Sequence, residues 1–240
     1  AESYVKEAEV NVAGGEVNGD IIGGGIAAYG YAGKDNTLNG GSTVDKATIN
    51  LTGGTVKGDV YAGGAASVHE HNNKGYTKAQ STVNHAVVNW AGSDVEGVLN
   101  GTGYKVTDEN GTKEKVDVAD STLNVSGTNT LSTVTKDGNQ VSKVTGFDKV
   151  NFVPDSVTKV EGVTAGNTVA LIDGNDGTAD GKGTITVAAG AELNVATEDS
   201  QKYTNEGTVN NSGAVYNLTN NGLVKQETAG ASYIGDAGGD

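Results

Sequence analysis

A glycine pattern that returns after 39 residues constrains this chain more than any other feature of its sequence. VNVAGGEVNGDIIGGG, from Val10, matches INLTGGTVKGDVYAGG, from Ile49, with Gly14, Gly15, Gly19, Gly24 and Gly25 falling on Gly53, Gly54, Gly58, Gly63 and Gly64. A second marker keeps the same step: Ser42, Thr43 and Val44 recur as Ser81, Thr82 and Val83, with a looser echo at Ser121, Thr122 and Leu123. A third copy, VNWAGSDVEGVLNGTG from Val88, aligns if the residue equivalent to Asp59 is deleted, and its glycines are sparser. Farther on, only the flavour persists, in GTITVAAGAELNVA from Gly183 and TVNNSGAVYNLTNNG from Thr208.

Each copy alternates short runs rich in valine, threonine and isoleucine with Gly-Gly or Gly-Asp steps, which is strand and turn chemistry without helical spacing. Only 35% of the residues are hydrophobic and 5% aromatic, too few for a thick layered core, while 38 glycines and a single proline suit many similar turns. The expected fold is all-β, a parallel β-helix (β-solenoid) with protruding arms, in which stacked turns of chain bury a narrow aliphatic column. Residues 1–142 form the regular repeats with their arms, and 143–240 continue as a degenerate segment. At roughly 20 residues per coil a copy holds about two coils, and about 12 coils spaced at ~4.8 Å give a rod on the order of 55 Å long. Asn11, Asn50 and Asn89 sit at equivalent strand ends. They either stack as an amide ladder or remain solvated turn residues.

The charge balance excludes some partners. Sixteen basic against thirty acidic residues leave a net charge of −14, which repels nucleic acid and anionic membrane surfaces. Every basic residue is lysine, so no guanidinium fork can grip phosphate or carboxylate. Cysteine is absent, which removes disulfides, thiolate metal sites and cysteine nucleophiles together. No run approaches the ~20 apolar residues of a membrane-spanning helix, and AESYVKEAEV lacks the pattern of an export signal. The expectation is a processed or excised segment whose signal and anchor lie outside it.

At this point the residues carry a family likeness. GGTVKGDVYAGGA, with GGEVNGDIIGGGI, resembles the glycine-rich units of autotransporter passengers from Gram-negative bacteria, and KVTGFDKVNF, Lys143–Phe152, is similar to a segment of such passengers. The likeness covers about residues 10–104 and 143–152 in motif. It implies a right-handed parallel β-helix exported to the cell surface or extracellular space, associated with the outer membrane through a barrel in a longer parent chain. It also implies adhesion or self-association: binding to a host or neighbouring-cell surface protein or glycan, not to nucleic acid.

Candidate sites follow from the arms between the second Gly-Gly turn and the next Ser-Thr-Val strand. These hold Tyr29, Tyr31, His69, His71, Tyr76 and Tyr104, the expected partner contacts, because insertions in a solenoid project from one face. The plainer alternative is solvated hairpins whose tyrosines shield the rod. His69 and His71 share a face of an extended segment and, with Glu70 or His85, offer an incomplete metal site. Asp173, Asn175, Asp176 and Asp180 cluster hard oxygens of the kind calcium takes, although their spacing fits no calcium loop; no other cofactor is expected. For catalysis, the best carboxylates are Asp20 and Asp59, which are copies of one another; their repetition points to capping of backbone donors. The expected function is therefore binding without catalysis, as adhesin or structural stalk. A polysaccharide-processing β-helix enzyme and an inert spacer are the alternatives.

Overall fold

The computed structural model describes residues 2–27, 41–67, 79–108, 110–162, 169–170, 183–196 and 203–236. Among them every regular element is a β-strand and no helix occurs. The central sheet joins, in hydrogen-bonded order, Glu2–Val17, Gly41–Val56, Gln80–Trp90, Asp120–Val125, Lys149–Phe152, Thr184–Val187, Thr208–Asn211 and Leu223–Gln226. Each neighbouring pair in this path is parallel. A second sheet stacks Thr128–Leu131, Val157–Val160, Glu192–Val195 and Ala214–Asn220, again in parallel.

The repeat is visible as register. Asn11 pairs with Asn50 and Asn50 with Asn89, so residues 39 apart are direct neighbours in the ladder. This corrects the expectation of two coils per copy: one 39-residue copy climbs one strand spacing. The central sheet has eight strands along its path, so the stack of this sheet is nearer ~35 Å than 55 Å at ~4.8 Å per step. The deletion assigned to the third copy is corrected too. Val60 pairs with Leu99 and Val56 with Val95, which keeps the step unbroken and puts Val98 in the place of Asp59.

Alternation decides what is buried. In Gly41–Val56 the side chains of Ser42, Val44, Ala47, Ile49 and Leu51 point inward, with the phase shifting by one residue at Asp45 and Lys46. One cluster then runs from Val12 through Ile49, Val88 and Leu123 to Phe152, Leu193 and Leu218. The first strand stands at the edge of this ladder. Its Val5 is 41% exposed, whereas its register partner Val44 is 1% exposed, because only the inner strand is covered on both edges.

The asparagines form the ladder, and it is longer than the three repeat copies. Asn50, Asn89, Asn124 and Asn151 each donate a side-chain N–H to the amide oxygen of the preceding asparagine, starting at Asn11, over 2.8, 2.7, 2.9 and 3.0 Å. Each step satisfies one donor and one acceptor on a half-exposed row and pins the register against slippage. The inward hydroxyl of Thr158 has no such partner. It lies between Asn129 and Leu193 in the second sheet. Thr158→Val keeps the shape and removes the unpaired polar atom, so unfolding in urea should show a gain of about 1 kcal/mol; a loss would mean the hydroxyl is satisfied.

Candidate functional site

The glycine pattern builds a third, narrow sheet that becomes the floor of a groove. Ile21–Ile22, Val60–Tyr61, Leu99–Asn100 and Val144–Thr145 stack in parallel, one two-residue strand per level. Their first residues, Ile21, Val60, Leu99 and Val144, are buried in the core. The second residues face the other way, placing Tyr61, Asn100 and Thr145 in one row. Glycines flank this sheet because the levels approach closely: a Cβ on Gly58 would strike the Gly19 backbone, and one on Gly64 the Ser81 hydroxyl and the Gly25 carbonyl.

Two β-hairpins stand on either side of the row. One pairs Gly103–Val106 with Lys113–Val116, and its turn is held by Asp108, whose carboxylate accepts from the Thr112 N–H at 2.9 Å and the Thr112 hydroxyl at 2.6 Å. The other pairs Thr133–Lys136 with Asn139–Ser142 through Asp137 and Gly138, both at positive φ, 49° and 78°. That is the mirror-image two-residue turn that Asp-Gly favours.

The repeated aspartates tie these hairpins to the floor. One oxygen of Asp20 accepts the Asp59 N–H, and one oxygen of Asp59 accepts the Val98 N–H, both at 2.8 Å. Each carboxylate therefore caps the backbone of the next level, as their repetition suggested. Each also receives a hairpin lysine. Lys113 Nζ lies 2.8 Å from Asp20 Oδ2, and Lys136 Nζ lies 2.7 and 2.8 Å from the two oxygens of Asp59. Lys113 also packs over the rings of Tyr61 and Tyr104, 4.9 and 4.3 Å from their centroids, and those rings meet edge to face at 4.7 Å. A cation held by a carboxylate and two aromatic faces is well satisfied.

Electrostatics follow from this packing. Burial works to lower the Lys113 ammonium, but the hydrogen bond to Asp20 and the contact with Tyr61 outweigh it and hold it above the ordinary lysine range. Burial likewise works to raise Asp20, yet Lys113, the Asp59 N–H and the charge of Lys136 hold its carboxyl below the usual value. The Tyr61 phenol is pushed up to about 12 by burial and then by the negative charge of Asp59. In the unfolded chain it titrates at 10. The folded state keeps the proton through that interval, so stability present below pH 10 is lost as pH rises through about 12. Urea unfolding across this range should show a steeper alkaline loss for the native chain than for Tyr61→Phe; parallel losses would remove the assignment.

Lys143 occupies the same column as Asp20, Asp59 and Val98, since Val144 pairs with Leu99. Its ammonium turns inward and donates to the Val95 carbonyl, and burial pulls its pKa below the ordinary value. The segment KVTGFD is thus a fourth level of the GDVYAGG row, and its own Phe147 is fully buried, as is Phe152 of the next strand.

Between the hairpins lies a groove of about 900 Å³, floored by Tyr61, Asn100 and Thr145 and walled by residues of both turns. Of the residues expected to contact a partner, Tyr104 lies on the first hairpin, packed against Tyr61 beside this groove. Tyr29, Tyr31, His69, His71 and Tyr76 lie outside the described residues, as do Glu70 and the cluster Asp173, Asn175, Asp176 and Asp180. His85 sits 3.4 Å from Asp120, and among the described residues no three metal-ligating side chains of His, Cys, Asp or Glu converge. Sequence reasoning passed over Tyr61, Lys113, Lys136 and the second hairpin, although Asp-Gly at 137–138 is a readable turn signal. Comparison with known proteins finds no matching family model, no similar curated protein and no similar solved structure.

Proposed function

We propose that this chain is a passenger segment of an autotransporter-type surface protein of a Gram-negative bacterium. Its parallel sheets would be the faces of a right-handed β-solenoid displayed outside the cell, and it acts as an adhesin or structural stalk, by binding and not by catalysis. The observation that carries the reading is the stacking of equivalent residues, asparagines in register and repeat glycines and aspartates in contact from level to level, which builds a rigid scaffold and a groove from a simple repeat. The resemblance of GGTVKGDVYAGGA and KVTGFDKVNF to passenger units supports the family, and the acidic surplus suits a soluble, exposed surface. Against catalysis stand the duties of Asp20 and Asp59. Both carboxylates cap backbone donors and neutralise lysines, which leaves neither poised as acid or nucleophile.

The test is binding of the purified chain to host cells, to matrix proteins and to itself, the last by sedimentation. Saturable binding or a concentration-dependent assembly supports the reading. Release of reducing sugar from an acidic polysaccharide would replace it with the enzyme, and inertness in every arm would replace it with a spacer.

A further inference from the structure

We infer that the groove between the two hairpins is a binding site for a neutral oligosaccharide. The inference rests on the binding reading above and assigns it a ligand class.

Lys113 and Lys136 line the groove, and each is already bonded to an aspartate, Asp20 or Asp59. Freeing either for an anionic ligand would leave Asp20 or Asp59 uncompensated, a cost that a ligand carboxylate or phosphate would first have to offset. Asp137 adds a further carboxylate to the lining and Lys115 a further cation beside it, over the same Tyr61, Asn100 and Thr145, so the described walls carry no excess of positive charge for an anion.

Polarity narrows the class further. Asn100, Asn110, Thr112, Gln140 and Thr145 line the space. Asn100 spends its amide hydrogens on the Val60 and Val98 carbonyls, Gln140 donates to the Thr133 hydroxyl and Thr112 to Asp108, so what these three have left for a ligand is acceptor oxygens. Apolar lining is confined to small side chains such as Val98, Val141 and Ala170. A lipid or drug-like apolar molecule would strip water from these acceptors and replace none of its hydrogen bonds. A polyhydroxylated chain can exchange hydrogen bonds with them while its C–H faces rest on the valines and the tyrosine edge. The volume of about 900 Å³ lies within the range of small-ligand sites and, among the described residues, opens to the surface, as a segment of a longer glycan requires.

Preorganisation supports the same conclusion. Both walls are latched to the floor by ion pairs reaching across 93 and 77 residues of sequence. The ordering of the two hairpins is therefore completed on folding and not charged to the ligand.

Saturation-transfer NMR on the full chain, with maltoheptaose, cellohexaose and chitohexaose against sialyllactose and oligogalacturonate, tests the assignment. At least one neutral oligosaccharide should give saturable transfer. Thr145→Trp, which fills the floor, should abolish it, and Asn110→Ala combined with Gln140→Ala should weaken it by about tenfold, roughly the loss of a hydrogen bond or two. Unchanged circular dichroism and thermal midpoint confirm folding of each variant, and the hairpin double variant decides the matter if Thr145→Trp does not fold. Absence of transfer from every neutral probe, transfer indifferent to the variants, a preference for the acidic sugars or capture of extended peptides in the groove would each overturn the inference. Cell binding that persists in the variants without any sugar binding sinks the groove assignment alone. Binding of the native chain to neither cells nor sugars sinks the broader reading as well.

Discussion

Replacing Asp59 by alanine should destabilise the chain by about 3 kcal/mol and release the hairpin formed by Thr133–Lys136 and Asn139–Ser142. The side chain is 12% exposed and has three duties: it accepts the Val98 N–H, holds Lys136 and receives the Tyr61 hydroxyl at 3.3 Å. The largest loss comes from the Val98 amide, which is left buried without an acceptor at about 1 to 3 kcal/mol. Lys136 is 43% exposed, so its ion pair adds less than a fully buried one would. Asp59→Asn separates the two effects. The asparagine oxygen can still cap Val98, so about 1 kcal/mol should be lost, while the hairpin amides should gain hydrogen-exchange rate much as in alanine. Equal stability of the native chain and Asp59→Ala in urea would refute the capping role, and unchanged exchange in the hairpin would refute the latch.

Gly64→Ala should cost a comparable amount, about 3 kcal/mol, with circular dichroism of the remaining fold retained at low temperature. The added methyl would meet the Ser81 hydroxyl and the Gly25 carbonyl, two groups that are themselves joined by a 2.6 Å hydrogen bond. Neither is the far end of a flexible side chain, so the levels must move apart or the bond must break. Gly14 provides the control, because its added methyl meets nothing within 4 Å. Alanine there should leave the urea midpoint close to native. A similar loss at both sites would show that backbone entropy, and not the stacking distance, sets the requirement for glycine.

The sequence carried the repeat spacing and the asparagine row, because equivalent residues in a parallel ladder must recur at the interval that separates neighbouring strands. It also carried the capping role of Asp20 and Asp59, since a catalytic pair has no reason to appear as two copies of one position. A period alone, however, does not say how many turns of chain it contains. Neighbouring strands 39 residues apart and neighbouring strands about 20 apart leave the same trace in sequence, and only the hydrogen-bond partners distinguish them. Likewise, Val98 looks like a gap until Val60 is seen opposite Leu99.

The groove was the least legible part. Nothing marks Tyr61 within the repeated GDVYAGG, and nothing in VTKDGNQ or NGTKEK announces that Lys136 and Lys113 end on aspartates 77 and 93 residues earlier. Local chemistry, period two in strands, glycine where backbones touch and Asp-Gly at a tight turn, acts over a few residues and is written in the sequence. The assembly of Asp20, Asp59, Tyr61, Lys113 and Lys136 depends on how many levels lie between distant segments and how far a lysine side chain reaches across them. Those quantities exist only once the chain has stacked, and so the tertiary structure alone decided where the site would be.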